Sequence, residues 1–413
     1  MDKDDNGGHT VDGEEHLEDH EAELSIQEAE EELREESGRI SEREYQRMAA
    51  DLRWEVLEYV DAHPDKSVQE VADFFGIKEG TIRAWKAHST MGTYGKKSKN
   101  KSLPSPGGQR PLFKPEKEAP ALPYLERKRH SNFIHYFDKT PPGIVCPHFY
   151  ILAHANGCPY ACHYCYLKLT LRHYPEPTVF TNTARMFQEI REWLLSRNEP
   201  SVLNTGELSD SLGWDLSTNL STNLVPLFEG QKKHKLLFLT KSATIDNLMK
   251  MAPSKQVVVS FSINASRVSD MYEKASPSPE ERLDAARRLK EHGYEVRLRL
   301  DPMIPVADWK GHYGNIIDKM NRVGPSIVTL GSLRYFRNLE SHQQTETDIF
   351  DYGKDHGDPD GRLRVDRDTR MEMYRFCIER LECMRVGLCK ETADVHRDLG
   401  LPAGNQSCNC TLE

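Results

Sequence analysis

Apolar runs typical of β-strands alternate with helical segments along residues 124–376, and this alternation limits the folds open to the chain. Six short runs are rich in β-branched and aromatic residues: 148–153, 201–205, 235–241, 256–264, 295–302 and 326–335. Segments with helical periodicity lie between most of them: 183–197, 217–228, 244–251, 279–292 and 309–323. Strands that alternate with helices form parallel sheets. The pattern predicts an α/β fold, either doubly wound or an incomplete barrel, with its chemistry at the carboxyl ends of the strands.

Segments of strongly biased composition precede this region. The 413 residues are enough for two or three domains. Residues 1–50 carry 18 acidic and 5 basic side chains, whereas residues 91–130 carry 10 basic and 3 acidic ones. Segment 1–48 is predicted to be a disordered acidic tail, because it cannot bury enough apolar area to offset the entropy of ordering. Segment 91–123 is predicted to be a basic linker rich in Lys, Pro, Gly and Ser. Because the tail accounts for the formal net charge of −10, that charge does not exclude a nucleic-acid partner.

Residues 49–90 show the pattern of a helix-turn-helix domain. Ser67 is placed to cap one helix, Gly76 to end it, and residues 79–88 to form the next helix. Four polar residues of the second helix region are predicted to face outward, toward phosphates and base edges: Lys78, Thr81, Arg83 and Lys86. The alternative is a three-helix bundle that docks onto protein.

The cysteine distribution and the hydropathy indicate a cytoplasmic location. No run of 18 apolar residues is present, and the start MDKDDNGGHT has no basic stretch followed by an apolar one. The nine cysteines are clustered rather than spread. Clustering favours reduced, metal-bound thiols over a secreted disulfide framework.

The sharpest motif, NGCPYACHYCYLKLT, follows the first predicted strand. Cys158, Cys162 and Cys165 have the spacing C-x3-C-x2-C. Three thiolates can bind three irons of a [4Fe–4S] cube and leave the fourth iron open to a small molecule. The alternative is a zinc site, for which the fourth ligand would be one of three histidines: His148, His154 or His163.

This loop and the motifs behind it resemble the radical S-adenosylmethionine (radical SAM) superfamily and, within it, the spore photoproduct lyase family, over residues 124–413. The resemblance rests on TGELSDSLGWD, LFLTKS, FSIN, RLRLDPMIP and SLRYFRN, which follow the loop in this order. It implies a partial (β/α)6 TIM-like radical SAM barrel that holds a [4Fe–4S] cluster and S-adenosylmethionine (SAM). It also implies a set of cofactor-binding residues: Glu207, Ser209, Lys241, Ser262 and Asn264. A carboxylate suits the ammonium of SAM, which is the physical reason for Glu207.

The resemblance further implies a reaction. A reduced cluster, supplied with electrons by a donor such as flavodoxin or ferredoxin, would cleave SAM to a 5′-deoxyadenosyl radical that takes a hydrogen atom from the substrate. In this family the substrate is a thymine photoproduct in DNA, and the damaged step must leave the base stack. DNA is therefore the expected partner. Arg334, Tyr335 and Arg337 match the part of the family that approaches the lesion.

One departure from the family concerns the end of the reaction. Family members return a hydrogen atom to the product from a cysteine in the segment that matches residues 206–210, which here reads GELSD. A carboxylate cannot donate a hydrogen atom, so Tyr164, Tyr166 or a C-terminal cysteine is expected to act instead, or the reaction differs. Two alternatives stay open: a radical SAM enzyme that modifies RNA or another macromolecule, and a non-catalytic iron–sulfur DNA-binding redox sensor.

The Cys-rich segment 377–413 holds the remaining cysteines except Cys146. Cys377 and Cys383 lie in a helical run and are interpreted as structural thiols. A second iron–sulfur or zinc site is predicted for Cys389, Cys408 and Cys410, with His396 as a candidate fourth ligand. A disulfide and free thiols are the alternatives for these three. Cys146 is interpreted as a packing residue.

Overall fold

A computed structural model describes 53, 56, 57, 60, 66–75, 78–90, 124–138, 140–171, 176–401 and 408–412. The chain divides into two compact units, Met1–Ala121 and Leu122–Glu413. The predicted acidic tail 1–48 and the predicted linker 91–123 lie outside the described residues.

Two helices are described in full in the N-terminal unit, α1 (Val68–Phe75) and α2 (Glu79–Thr90). Ser67 begins α1 as predicted: the Glu70 backbone N–H donates to Ser67 Oγ at 3.2 Å, and the Ser67 N–H donates to Glu70 Oε2 at 2.8 Å. This reciprocal pair is a capping box. The unit has its own apolar core, made of seven buried side chains: Val56, Leu57, Val60, Val71, Ala72, Ile82 and Trp85.

The C-terminal unit contains seventeen strands and ten α-helices among the residues the structure describes. The strands are β1 (Leu125–Arg127), β2 (Ile134–Phe137), β3 (Ile144–Val145), β4 (Phe149–Leu152), β5 (Ala155–Asn156), β6 (Ala161–Cys162), β7 (Thr178–Phe180), β8 (Val202–Asn204), β9 (Lys235–Thr240), β10 (Val257–Ile263), β11 (Glu273–Lys274), β12 (Glu295–Met303), β13 (Val328–Ser332), β14 (Arg334–Phe336), β15 (Arg362–Arg364), β16 (Val386–Leu388) and β17 (Glu391–Thr392). The helices are α3 (Leu167–Thr170), α4 (Thr183–Ser196), α5 (Asp215–Thr218), α6 (Leu220–Glu229), α7 (Asp246–Met249), α8 (Ser266–Tyr272), α9 (Pro279–His292), α10 (Trp309–Val323), α11 (Arg367–Arg380) and α12 (Ala393–Asp398).

An eight-stranded sheet organises this unit, in the order β16-β13-β12-β10-β9-β8-β4-β2. All neighbours pair in parallel except β2 and β4, which are antiparallel. The six predicted apolar runs correspond to β4, β8, β9, β10, β12 and β13, so the predicted parallel α/β sheet is confirmed. The sheet places the carboxyl ends of all seven parallel strands along one edge.

Both faces of the sheet are covered, and the strands alternate between them. In β10, Val257, Val259 and Phe261 belong to the large core shared with the helices, whereas Val258 belongs to a second apolar cluster. Side chains one residue apart on a strand point to opposite faces, which explains the division. We call the second side the inner face; it is marked by Phe149, Val202, Leu237 and Val258.

Several boundaries differ from those predicted. The run 326–335 splits into β13 and β14, and β14 leaves the large sheet to pair with β15. The helix predicted at 217–228 splits into α5 and α6 at Asn219, whose φ of 52° interrupts the helix. The predicted C-terminal segment 377–413 is not separate from the sheet: α11 runs across residue 377, and β16 pairs with β13. No helix among the described residues is long and apolar enough to cross a membrane.

Candidate active site

The three-cysteine loop lies at the carboxyl end of β4, where the sequence predicts it. Cys162 is in β6, which pairs with β11, and a turn from Cys162 to Cys165 follows, with a Cys165 N–H to Cys162 O distance of 3.3 Å. Gly157 opens the loop with a φ of 89°, and a Cβ there would lie 3.0 Å from the Pro177 backbone. Only glycine accepts both conditions without strain.

The thiols of Cys158, Cys162 and Cys165, which we call the loop cysteines, fit the ligand set of an iron–sulfur cube. All are free, and Cys158 lies close enough to the other two for both to raise its pKa, which burial already places well above the usual range. Among the described residues, no three His, Cys, Asp or Glu side chains surround one point closely enough to bind a single metal ion. In a cube each cysteine binds a different iron and one iron stays open, whereas a zinc site needs a fourth protein ligand.

Two of the predicted cofactor residues follow strands that neighbour the loop. Lys241 follows β9, and its Nζ lies 5.5 Å from the ring centroid of Tyr164. Its charge also lowers the pKa of Cys162, which burial raises to about 12. Glu207 follows β8, and the hydroxyl of Tyr166 donates to its backbone oxygen. Since β4, β8 and β9 are neighbours, the fold brings Glu207, Lys241 and both tyrosines to the cysteine loop.

The other predicted cofactor residues lie deeper. Ser209 is buried and its hydroxyl donates to the Asp210 carbonyl at 3.3 Å. Ser262, near the end of β10, is buried as well, and its carbonyl accepts from Arg282 Nη1 at 3.0 Å. The Asn264 amide group donates to the Pro302 carbonyl at 2.9 Å and to Glu273 Oε1 at 3.3 Å.

A buried ion pair behind the loop has no signal in the sequence pattern. Arg282 Nη1 lies 2.7 Å from Glu273 Oε2, and both side chains are almost fully buried. Glu273 is in β11, which pairs with β6, and it accepts a hydrogen bond from the Tyr164 hydroxyl. Burial raises the pKa of Glu273, but Lys241 and Arg282 beside it hold that pKa below its usual range. The pair therefore fixes Tyr164 and the strand that carries Cys162.

Asp210 is a third residue that the sequence did not reveal, after Glu273 and Arg282. Its carboxylate accepts hydrogen bonds from Thr240 Oγ1 and the Lys241 N–H, both at 2.6 Å, and from the Leu212 N–H at 3.0 Å. These contacts join the loop after β8 to the end of β9. Asp210 thereby sets the backbone position of Lys241. Its place three residues after Glu207 in GELSD is the only hint that the sequence offers.

The structure corrects two predicted nucleic-acid contacts in the C-terminal unit. Tyr335 is only 5% exposed, and its hydroxyl donates to the Phe350 carbonyl at 2.6 Å, so it belongs to the core. Arg334 is mostly buried and donates to Asp301 Oδ1 at 2.8 Å. Both face inward because β14 folds back to pair with β15. Arg337 is exposed, as a phosphate contact requires, and pairs with Asp355 at 2.8 Å.

Thr81 is a further correction, in the N-terminal unit. It is 0% exposed, because it precedes Ile82 and lies one turn before Trp85, and both of those residues are in the core. Lys78, Arg83 and Lys86 are exposed as predicted. Arg83 pairs with Glu79 on the same helix at 2.7 Å.

The parallel α/β sheet, with a C-x3-C-x2-C loop after its first parallel strand, defines the chain as a protein of the radical SAM class. The family model for spore photoproduct lyase matches residues 137–371, more than half of the chain. The chain therefore belongs to the spore photoproduct lyase family.

Individual relatives agree with this assignment. The spore photoproduct lyase of Bacillus subtilis (strain 168) is 25% identical over 193 residues, which cover 46% of this chain and 55% of that protein. That of Geobacillus sp. (strain Y412MC61) is 26% identical over 187 residues, 45% of this chain and 54% of that protein. The chain thus spans about half the length of the curated relatives it matches.

Solved structures show the same fold. A mutant spore photoproduct lyase superposes with a TM-score of 0.52 at 20% identity, and a spore photoproduct lyase complexed with dinucleoside spore photoproduct does so with 0.52 at 22% identity. Each superposition covers 62% of this chain and 77% of the other.

Proposed function

We propose that the chain is a radical SAM enzyme of the spore photoproduct lyase type that acts on thymine photoproducts in DNA. One observation carries the proposal: the loop cysteines, Glu207 and Lys241 meet at the carboxyl ends of three neighbouring strands. When bound, the [4Fe–4S] cluster and SAM supply a 5′-deoxyadenosyl radical. The relative complexed with dinucleoside spore photoproduct supports the choice of lesion.

The side chains divide the binding task by charge. The loop cysteines would hold three irons and leave one open for SAM. The Lys241 ammonium and the Glu207 carboxylate offer opposite charges to the carboxylate and the ammonium of a bound amino acid. Asp210 holds Lys241 by its backbone, and the Glu273–Arg282 pair holds Tyr164, so both groups are fixed before any ligand binds.

We propose Tyr166 as the residue that returns the hydrogen atom to the product. Its O–H bond breaks as the product C–H bond forms, and one electron from the external donor and one proton then restore the tyrosine. It is 40% exposed and its hydroxyl is beside Glu207, at the position where the family has its cysteine. Tyr164 is held by Glu273 and is less exposed, which favours a positioning role for it. Tyr166→Phe should still cleave SAM but should no longer form repaired thymines. Tyr136→Phe, at an exposed tyrosine, is the control and should form them as the wild type does. Unchanged product formation by Tyr166→Phe would contradict this assignment.

The test of the enzyme proposal is anaerobic reconstitution with iron and sulfide, followed by reduction with dithionite or with flavodoxin or ferredoxin. The reduced wild type should cleave SAM to 5′-deoxyadenosine, and a Cys158/Cys162/Cys165→Ala variant should not. SAM left intact by the wild type would refute the proposal and favour the redox sensor. Oligonucleotides that carry the thymine photoproduct, matched undamaged DNA and RNA of the same sequence then separate the proposed substrate from RNA.

We propose that the N-terminal unit binds the DNA backbone through Lys78, Arg83 and Lys86, which α2 and its start present on the surface. Each phosphate contact that is removed should reduce the slope of log affinity against log salt by about 1. Lys78→Ala and Lys86→Ala in the full chain test this by fluorescence anisotropy on duplex DNA. Lys250→Ala, an exposed lysine of the other unit, is the matched control. Equal slopes for all variants would exclude this surface and favour a protein-docking bundle.

A further inference from the structure

The C-terminal residues 408–412 pack on the inner face of the sheet. The Asn409 Oδ1 accepts a hydrogen bond from the Thr329 hydroxyl at 2.6 Å. The Asn409 amide nitrogen donates to the Leu298 carbonyl at 3.0 Å and to Ser260 Oγ at 2.5 Å. Arg297 donates to the Asn409 carbonyl at 3.0 Å and to the Leu412 carbonyl at 3.1 Å. These bonds fix Cys408 and Cys410, on either side of Asn409, inside the fold.

Two further cysteines reach the same place from other parts of the chain. Cys389 follows β16, and its N–H donates to the Leu330 carbonyl at 2.8 Å. Cys146 follows β3 and packs in the same inner-face cluster as Cys408 and Cys410. The pKa of Cys146 is raised to about 12, mainly by burial, and both Cys389 and Cys408 are close enough to contribute to the rise. We call this set of four the inner-face cysteines: Cys146, Cys389, Cys408 and Cys410.

Two arginines point at these sulfurs. The Cys389 sulfur accepts hydrogen bonds from Arg299 and, at 3.0 Å, from Arg334 Nη2. Arg299 Nη1 also lies 4.0 Å from the Cys410 sulfur. Four neighbouring thiols, two of which face guanidinium groups, form a built site rather than an ordinary packing cluster.

The local charge is not balanced by the protein alone. Arg299 and Arg334 share one carboxylate, Asp301, at 3.2 and 2.8 Å, and all three side chains are largely buried. Lys390 adds a further positive charge that acts on Cys146, and Glu207 adds a second negative charge that acts on Cys146 and Cys410. The two arginines and Lys390 therefore still exceed the two carboxylates by one positive charge. Buried positive charge without a counterion is costly. Thiolates bound to metal supply the missing negative charge.

We propose that the inner-face cysteines bind a second iron–sulfur cluster, beyond the one that the proposed function requires. Four cysteines can give each iron of a [4Fe–4S] cluster one thiolate. A four-thiolate zinc site is the alternative that the metal count below tests. The two arginines would donate N–H···S hydrogen bonds to the cluster ligands, a contact that tunes such clusters. The fourth ligand is then Cys146, which packs in the same cluster as Cys408 and Cys410, instead of His396 on α12.

The experiment counts iron, acid-labile sulfide and zinc in the full chain after anaerobic purification and reconstitution. The background is the Cys158/Cys162/Cys165→Ala variant, which removes the cluster of the proposed function. This variant should retain about four irons and four sulfides per chain, half of the wild-type amount, with the absorbance of a cysteine-ligated cluster. Adding Cys389→Ser and Cys408→Ser should remove that iron, whereas adding Cys383→Ser, a half-buried cysteine elsewhere, should not. Thermal unfolding of each variant shows whether the chain is folded.

Each other result is decisive. A folded Cys158/Cys162/Cys165→Ala variant that binds one zinc, or no metal, overturns this inference. The proposed function still stands in that case if the wild type binds four irons. Iron that survives Cys389→Ser and Cys408→Ser also overturns it, because other ligands must then hold the cluster. A wild type without iron refutes both this inference and the proposed function. Should the serine variants fail to fold, Cys146→Ser alone must lower the retained iron for the inference to stand.

Discussion

The two groups of cysteines are assembled in different ways. The loop cysteines fall within eight residues of each other, so one turn after β4 brings them together. The inner-face cysteines come from three segments, and Cys146 precedes the other three by more than 240 residues. They meet because the sheet and residues 408–412 pack together. A site of the first kind depends on local geometry, whereas one of the second kind depends on the entire fold.

This contrast predicts that substitutions in the two groups affect different properties, and we expect the largest effect for substitutions of the loop cysteines. Cys162→Ser should abolish SAM cleavage, because a missing ligand leaves a second iron without a protein thiolate. Cys383→Ser, outside both groups, should cleave SAM at the wild-type rate. The measurement is 5′-deoxyadenosine formed per chain by chromatography. Substantial turnover by Cys162→Ser would mean that the loop is not the cofactor site.

The support behind the loop gives the next largest effect. Arg282→Met should lower the free energy of unfolding by about 3–5 kcal/mol, because it leaves Glu273 charged and buried without its partner. Arg287→Met, which breaks only exposed pairs on the same helix, should change stability little. Denaturant unfolding of both variants measures the difference. Equal stabilities would show that the buried pair does not hold the loop.

The inner-face group should instead depend on Asn409. Asn409→Ala removes the acceptor of the Thr329 hydroxyl and the amide that donates to the Leu298 carbonyl and Ser260 Oγ, at a cost of about 3 kcal/mol, while the backbone bond from residue 409 to Thr329 remains. In the Cys158/Cys162/Cys165→Ala background, Asn409→Ala should lower the amount of iron bound. In the otherwise wild-type chain, Asn409→Ala should leave SAM cleavage unchanged. Asn223→Ala, on an exposed helix surface, is the control. Loss of SAM cleavage in Asn409→Ala would break the proposed independence of the two groups.

The smallest effect concerns His154, between β4 and the loop. Burial lowers its pKa to about 4, and its Nε2 hydrogen-bonds the Thr205 carbonyl at 3.1 Å. As the pH falls, the His154 imidazole is therefore protonated near pH 6.5 in the unfolded chain but only near pH 4 in the folded chain. Stability should fall by on the order of 2 kcal/mol as the pH drops from 6.5 to 4. His154→Gln should flatten this part of the pH–stability curve, and His356→Gln, on the surface, should not. If the pH–stability curve of His154→Gln matches that of the wild type, another group must cause the loss of stability at acid pH.

Much of the fold follows from patterns that act over short distances. The helices at 279–292 and 309–323 have the predicted bounds, because Pro279 with the Ser278 cap begins α9 and glycines end both helices. The strands are recognisable because β-branched, aliphatic and aromatic residues dominate runs that are buried on both faces, although β12 also carries Arg297, Arg299 and Asp301. The splits at Asn219 and Leu333 were missed because a change of backbone direction leaves the apolar pattern intact.

The site was predictable to a similar degree. The cysteine loop, Glu207 and Lys241 follow strands and lie together at one edge, as a parallel sheet requires. Glu273 and Arg282 were missed because an ion pair between separate elements has no periodicity to reveal it. Thr81 was predicted to face outward as a polar residue of the second helix, and Tyr335 was predicted to contact nucleic acid through the family resemblance, yet their positions in α2 and β14 turn both inward.

The sequence by itself determined the parallel α/β sheet, the order of its strands' motifs and the three-cysteine loop, because each depends on residues near one another in the chain. Only the tertiary structure decided which distant side chains meet: Cys146 with the C-terminal cysteines, and Arg299 and Arg334 with the sulfur of Cys389. Such contacts arise when burial and charge pairing across the sheet select one arrangement, and no local spacing encodes them.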